Sequence, residues 1–354
     1  MKAAGAALVL AAGGLLALSA GAPAPGGRAA AGRADDDDEA AMAARRKRLR
    51  AELKELPHRI VYESRRGRDW ELMVMDADGS DPSNLTGNPD ADELYPHASP
   101  DGRRIAFVGD EGSGRSALRS VYCMNADGTG RRLIAAGARH PCWGPEGRRI
   151  AYTPNEYRRF TTLSYATRHI EVYDLASDER RRHPNRRIHH LYALTWSPRG
   201  KWFLATVHGG MGYRHGDLAI EAEGTRVFRL KGVTGCRPDV RPDGRKLLWN
   251  LDDQTIAVAD LDLTATPPTV SNGRKVVTCA KTHKVYHGDW SPDGKYIAFS
   301  HGPAEGSQAV GAMARGWHIC VADARARNIC VKLTTDGVSN KEPDWLPAAK
   351  EARP

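Results

Sequence analysis

Apolar and polar positions along this chain recur in blocks rather than at helical spacing. The stretch "YPHASPDGRRIAFVGD" begins at Tyr95, and "HPCWGPEGRRIAYTPN" begins at His140. "ALTWSPRGKWFLATVHG" begins at Ala193, "RPDVRPDGRKLLWNLD" at Arg237 and "HGDWSPDGKYIAFSHG" at His287. Their turn glycines are Gly102, Gly147, Gly200, Gly244 and Gly294, so the steps are 45, 53, 44 and 50 residues. Within each block a Ser-Pro-Asp-Gly type of tetrad has turn chemistry: proline presets φ at the second position, and glycine tolerates positive φ as the chain leaves. After the turn comes an alternating or wholly apolar strand ("RIAFV", "RIAYT", "WFLATV", "KLLWNL", "YIAFS"). A second β-rich strand follows, as in "SVYCMNADG", "HIEVYDLA", "TIAVADLD" and "WHICVADA". A period near this length with four strands per unit predicts β-propeller blades.

The ends complete the count. "RIVYESRRGRDWELMVMDADGSDPSNLT" at 59–86 reads as a blade without its first strand, and "EPDWLP" at 342–347 as a first strand without its blade. Joined, they make a sixth blade and remove the last exposed sheet edge. The expected fold is therefore all-β, a six-bladed β-propeller with terminal strand closure over residues 58–347, preceded by a signal peptide (1–22) and by a linker and short helix (23–57), with a tail at 348–354. "LAIEAEGTRVFRL" must supply two outer strands of the fourth blade. "DADGSD" at 76–81 lacks the twelve-residue spacing of a calcium loop and reads as a hairpin turn.

Composition refines this picture. Lys2, the apolar run Ala6 to Leu18 and Ala20-Gly21-Ala22 have the layout of an export leader, and the run is too short to span a bilayer. The expectation is a periplasmic or secreted protein with no membrane span. Residues 23–34 are Gly, Ala, Pro and Arg, a linker composition; the helix formers at 40–56 carry only a thin apolar stripe of Ala43, Leu49, Leu53 and Leu56, which predicts loose packing or none, and Pro57 ends the helix. The net charge of +9 comes from arginine pairs scattered among turns, as a solvated surface would have, so no nucleic-acid partner is expected. None of the six cysteines forms a Cys-x-x-Cys pair. Cys320 and Cys330, on consecutive strands, are candidates for a disulfide or for two buried thiols, and Cys123 with Cys142 for a bridge between blades.

The blocks "SPDGRRIAF", "VYCMNADGTGRRLI" and "WELMVMDADGSDPSNLT" resemble the TolB-type WD-like β-propeller repeat over roughly residues 59–347. That resemblance implies the propeller fold and a periplasmic setting. It leaves function open, because the repeat serves binding proteins, peptidase propellers and some lyases. Only a short stretch separates the expected cleavage site from the first blade, so the α/β domain that precedes the propeller in the family's namesake is not expected here.

Candidate chemistry follows from the turns. If they share one rim, the first-strand starts and the longer links share the other, the loop face. That gathers His97, His189, Tyr192, His208, His215, Arg237, Asp239, His287, Asp289, His301 and Asp344 as candidate ligand-binding residues, together with His140, His190, Tyr213 and Glu342. A hairpin turning at Pro292-Asp293 is expected to bring His287 and His301 together. The leading reading is a monomeric exported propeller that binds a protein or carbohydrate partner through this face. The alternative is a metal-dependent, lyase-like carbohydrate enzyme in which His208, His215, His287 and His301 hold a divalent transition metal. No G-x-S-x-G occurs, which argues against a serine hydrolase. Trp143, Trp196, Trp290 and Trp345 recur at one repeat position and are expected to be packing anchors between sheets.

Overall fold

The computed structural model describes residues 27–88, 91–112, 118–156, 166–304 and 315–349. The leader-like residues 1–22 lie outside these, as do parts of the links at 155–169 and 301–318. The chain divides into two compact units, Met1–Ala44 and Arg45–Pro354.

The second unit carries six antiparallel sheets of four strands each. The inner strands of blades II to VI are Ala91–Ala98, Ala138–Trp143, Leu191–Trp196, Cys236–Val240 and His283–Trp290. Blade I takes its inner strand, Asn340–Leu346, from the other end of the chain, and pairs it antiparallel with Arg59–Arg66. Trp345 lies opposite Ile60 and Asp344 opposite Val61, so the ring closes as the sequence predicts. The fourth blade has its two outer strands, Tyr213–Glu221 and Val227–Arg229.

Alternation along each strand buries both sheet faces, because each blade packs on two neighbours. Phe107 and Ile105 of blade II meet Val61 and Val74 of blade I. Trp143, Trp196, Trp290 and Trp345 each sit in the core between their own blade and the preceding one, so all four are packing anchors. The turns share one rim: Pro100, Pro145, Pro198, Pro242, Pro292 and Pro347, one from each blade, line a single cavity. In each of the five tetrads the fourth residue donates its backbone N–H to the first, as Gly102 does to Ser99 at 2.9 Å. Gly102 cannot be replaced freely: its φ is +70°, and a Cβ there would lie 2.0 Å from the Pro347 carbonyl oxygen of the closing segment.

The N-terminal helix differs from expectation. It runs Gly27–Lys54, taking in most of the stretch read as a linker, and its last turns, from Leu49 to Lys54, do not pack loosely. Leu49 and Leu53 are 2% and 1% exposed, in the same core as Ile60, Tyr62 and Met75 of blade I and Ile319, Val321 and Val331 of blade VI. Glu52 accepts a hydrogen bond from the Tyr296 hydroxyl at 2.9 Å. Two leucines one helical turn apart are enough here, because the receiving surface is the seam between the first and last blades and is already apolar. The end of the helix around Leu49 and Leu53 therefore covers the closure.

This predicts that Leu53→Ala lowers stability by about 2–5 kcal/mol in denaturant unfolding, the cost of a large cavity in a core. The half-exposed Leu133→Ala should shift it by no more than about 0.5 kcal/mol.

Candidate functional site

The loop-face mouth is built from one repeated backbone device. Tyr95, His140, Ala193, Arg237, His287 and Glu342 occupy equivalent places on the six inner strands, and all have φ between 49° and 58°. Strand register slips at the same place in every blade. Left-handed backbone costs an L-residue roughly 1–2 kcal/mol, so six in register is a large investment of strain. A bulge of this kind bends the strand and re-aims side chains. Its sequence mark is an x-Pro-x or x-small-x triplet ahead of the turn: Pro96, Pro141, Pro238 and Pro343 follow four of the six left-handed residues, and Gly288 follows a fifth. Proline is tolerated because an inner strand's free edge faces the channel, where no ladder bond is lost.

The triplets line a cavity of about 120 Å³. His97, Arg237, Asp239, His287, Asp289 and Asp344, six of the eleven candidate residues, are on its wall, with Tyr95, His140 and Glu342. His97, Thr195, Asp239, Asp289 and Asp344 also line the cavity of about 620 Å³ on the turn rim, so they form the waist between the two.

At the mouth, Arg237 Nη1 stands 3.5 Å from Glu342 Oε2. His287 Nε2 and Glu342 Oε1 approach to 2.7 Å, out of line for a hydrogen bond, so the attraction is one of proximity. His287 Nδ1 is 3.0 Å from the Ser300 hydroxyl oxygen, which also accepts the Glu342 N–H at 3.0 Å. Ser300, His287 and Glu342 thus stand in the order of a hydrolytic triad. The serine is fully buried and is not on the cavity wall, so it holds the imidazole in place and offers no nucleophile to a ligand. Burial pushes His287 down to about 4, which leaves the ring neutral. Burial would raise Glu342, but His287, Arg237 and Lys341 outweigh it and hold the carboxyl low, at about 2.

Beneath the mouth lies a pair that the sequence did not reveal. Lys341 and Glu63 are fully buried and ion-paired, and Lys341 Nζ lies 4.3 Å from the centroid of the Trp70 ring. The other Glu63 oxygen accepts the N–H of the left-handed Tyr95 at 3.0 Å. This pair ties closing strand, first blade and mouth together.

The remaining candidates lie elsewhere. Tyr192 is on the inner strand of blade IV with its ring 6.5 Å from that of His140. His189 lines a separate concavity between blades III and IV. His208 and His215 face each other across a hairpin of blade IV, Nδ1 to Nδ1 at 3.2 Å. The hairpin of blade VI forms, but it does not pair His287 with His301. The bulge shifts its register between Tyr286 and Asp289, which sets Val285 opposite His301. His301 stacks on His283, centroids 4.9 Å apart, and lies opposite His318, two histidines that the sequence reading did not single out. The four imidazoles offered as metal ligands are thus in three places. Among the described residues no group of three or more His, Cys, Asp or Glu is placed to hold a metal ion.

The disulfide expectations are corrected. Cys320 faces Lys332 and Cys330 faces Ala322, so the two thiols are two steps out of register, and both are free. Cys123 and Cys142 are free and lie in different interblade cores.

Comparison with known proteins bears on the fold. TolB from Acinetobacter baumannii superposes with a TM-score of 0.61 at 20% identity, over 82% of this chain and 67% of that one. The fold is that of a TolB-type β-propeller. Other propellers also superpose. A chain from a nidogen/laminin complex does so at TM-score 0.55 and 10% identity, over 83% of this chain and 99% of that one. Hydrazine synthase of Kuenenia stuttgartiensis does so at 0.55 and 12%, over 84% of this chain and 47% of that one. A scan against models of protein families and a search of curated proteins found no match.

In this TolB-type ring the waist carboxylates join the blades. Asp344 accepts the Ala98 N–H at 2.8 Å, Asp289 the Trp345 N–H at 2.7 Å and Asp239 the Trp290 N–H at 3.2 Å. Each thereby ties its own inner strand to the next. Desolvation raises all three: Asp239 to about 6, Asp344 to about 8, and Asp289 well above the usual range, with the neighbouring Asp344 and Asp239 charges adding to it. The folded ring therefore retains protons that the unfolded chain releases near pH 4. Their contribution to stability is full below about pH 4 and is lost as pH rises through about 8. Glu342 acts in the opposite sense, only below its ordinary value of 4.5.

Asp289→Asn keeps an acceptor for Trp345 and removes the charge. Urea unfolding should find it equal to the parent at pH 4 and more stable at pH 8, by on the order of 1–3 kcal/mol. A variant less stable than the parent at pH 8 would show that the charged form is the one the fold requires.

Proposed function

We propose that this protein is an exported, monomeric propeller that binds a protein or carbohydrate partner through the loop-face mouth of its channel. The observation that carries this reading is the convergence of six strained triplets on one charged opening, where Arg237 and Glu342 present opposite charges 3.5 Å apart. Strain kept in register in every blade is the mark of a site whose geometry matters. The cavity behind the opening is about 120 Å³, well under the roughly 300–1,000 Å³ of pockets that enclose a small molecule. It suits one protruding side chain or sugar substituent of a larger partner. That size favours binding over a metal-dependent reaction on an enclosed substrate, as does the separation of the four imidazoles. Export is supported by the leader-like residues at the N-terminus. Among the described residues no helix is long and apolar enough to cross a membrane.

Site-specific photo-cross-linking in cells tests this, with the reactive group at His140 on the loop face or at Arg199 on the turn rim, alongside a glycan array probed with the full chain. A discrete adduct from His140, or retention of one glycan class, should be weakened about tenfold or more by Arg237→Ala in a variant that still unfolds cooperatively. Adducts from Arg199 only, or neither adduct nor glycan retention, would remove the loop-face mouth as the site.

A further inference from the structure

A second concavity opens on the loop face away from the channel, between blades III and IV. It encloses about 770 Å³, within the range of ligand pockets. Its wall comes from the link into the third strand of blade III, the end of that blade's outer strand, the connection into blade IV, and the tip of the hairpin at Gly209 and Gly212. Ile188 and Met211 give it a partly apolar lining.

Its charge sets it apart from the rest of the surface. Elsewhere many guanidinium groups are matched, as in Arg132 with Asp178, Arg149 with Glu146, Arg181 with Glu223 and Arg241 with Asp243. Here Arg168, Arg182, Arg186 and Arg187 surround one concavity. The guanidinium groups of Arg182, Arg186 and Arg187 are exposed and make no ion pair or hydrogen bond among the described residues. Arg168 gives a single hydrogen bond, to the Glu156 carbonyl oxygen at 2.9 Å, which leaves other donors available. The acids nearby are committed. Glu156, the one carboxylate on the wall among the described residues, is 2.8 Å from His190 Nε2. Glu171, opposite Arg182 in register, is held by His169 at 2.9 Å and by the Tyr152 hydroxyl at 2.8 Å. His189 receives the Met211 N–H on Nε2, so its ring serves the wall.

We propose that this concavity binds a multiply charged oxyanion, a ligand bearing two or more phosphate or carboxylate groups, gripped by Arg168, Arg182, Arg186 and Arg187. Planar guanidinium forks recognise both groups in bidentate fashion, and several unpaired forks around one volume concentrate positive potential where a monoanion would neutralise only part of it. The site is independent of the channel mouth.

Calorimetric titration of the full chain at low ionic strength tests the assignment, with sodium tripolyphosphate in one arm and citrate in the other. Saturable binding is expected in at least one arm, and the stronger arm identifies the oxyanion. The double variant Arg186→Gln/Arg187→Gln should weaken it about tenfold or more, since it removes two charge-assisted forks. Arg103→Gln/Arg104→Gln on the opposite rim removes the same net charge and should leave it unchanged. No saturable binding in either arm, or equal loss in both double variants, would overturn the proposal. Because Arg237→Ala should not alter this titration, failure here is distinguishable from failure of the channel-mouth reading.

Discussion

The structure depends on the antiparallel pairing of Asn340–Leu346 with Arg59–Arg66. An inner strand contributed by the far end of the chain turns six sheets into a ring and leaves no blade without a partner. The same seven residues supply part of the site: Glu342 stands at the mouth and Asp344 at the waist. Lys341, buried against Glu63 and Trp70, fixes the strand from within. An unpaired charge at that depth would cost several kcal/mol, so the two halves of the pair hold the two ends of the chain in one register. The helix residues Leu49 and Leu53 then exclude water from the outside of the same seam. Closure and binding geometry are thus two consequences of one contact.

Around this frame strain and burial oppose each other in a regular way. Each inner strand carries a left-handed residue, and each is held by the apolar core between its blade and the last. The waist carboxylates add polar ties across the same boundaries, at the expense of being kept partly protonated. A ring built this way has a rigid axis, with chemistry concentrated where the strands are bent. The arginine-lined concavity is of another kind: it lies between two blades, on connections, and owes its character to unmatched charge.

The architecture was largely legible in the sequence because the turns are strictly local. Five proline-glycine tetrads, a blade short of one strand at the start and an orphan strand at the end are enough to count blades and to place Trp345 beside Ile60. The channel residues were legible in part: Arg237, Asp239, His287, Asp289 and Asp344 stand at a constant offset from the turns. Their neighbours were not. A one-residue bulge between Tyr286 and Asp289 changes which side chains meet, so His287 goes to Glu342 and His301 to His283. The triplet His287-Gly288-Asp289 marks where the strand slips, but it does not say which side chains the slip brings together. The Glu63–Lys341 pair joins residues 278 positions apart, and Leu49 and Leu53 read as a thin stripe because nothing local shows that their partner surface is a seam. In each case the missing information was long-range.

Hydrogen–deuterium exchange on the segments 59–66 and 340–346 tests the closure most directly. Amides that are protected by ring closure exchange only through global opening. Both segments are expected to exchange together, as slowly as the second strands of blades II and VI, Arg104–Glu111 and Tyr296–Pro303. Rapid exchange of 340–346 while those strands stay protected would show a ring that is open in solution, and with it a mouth that lacks Glu342 and Asp344.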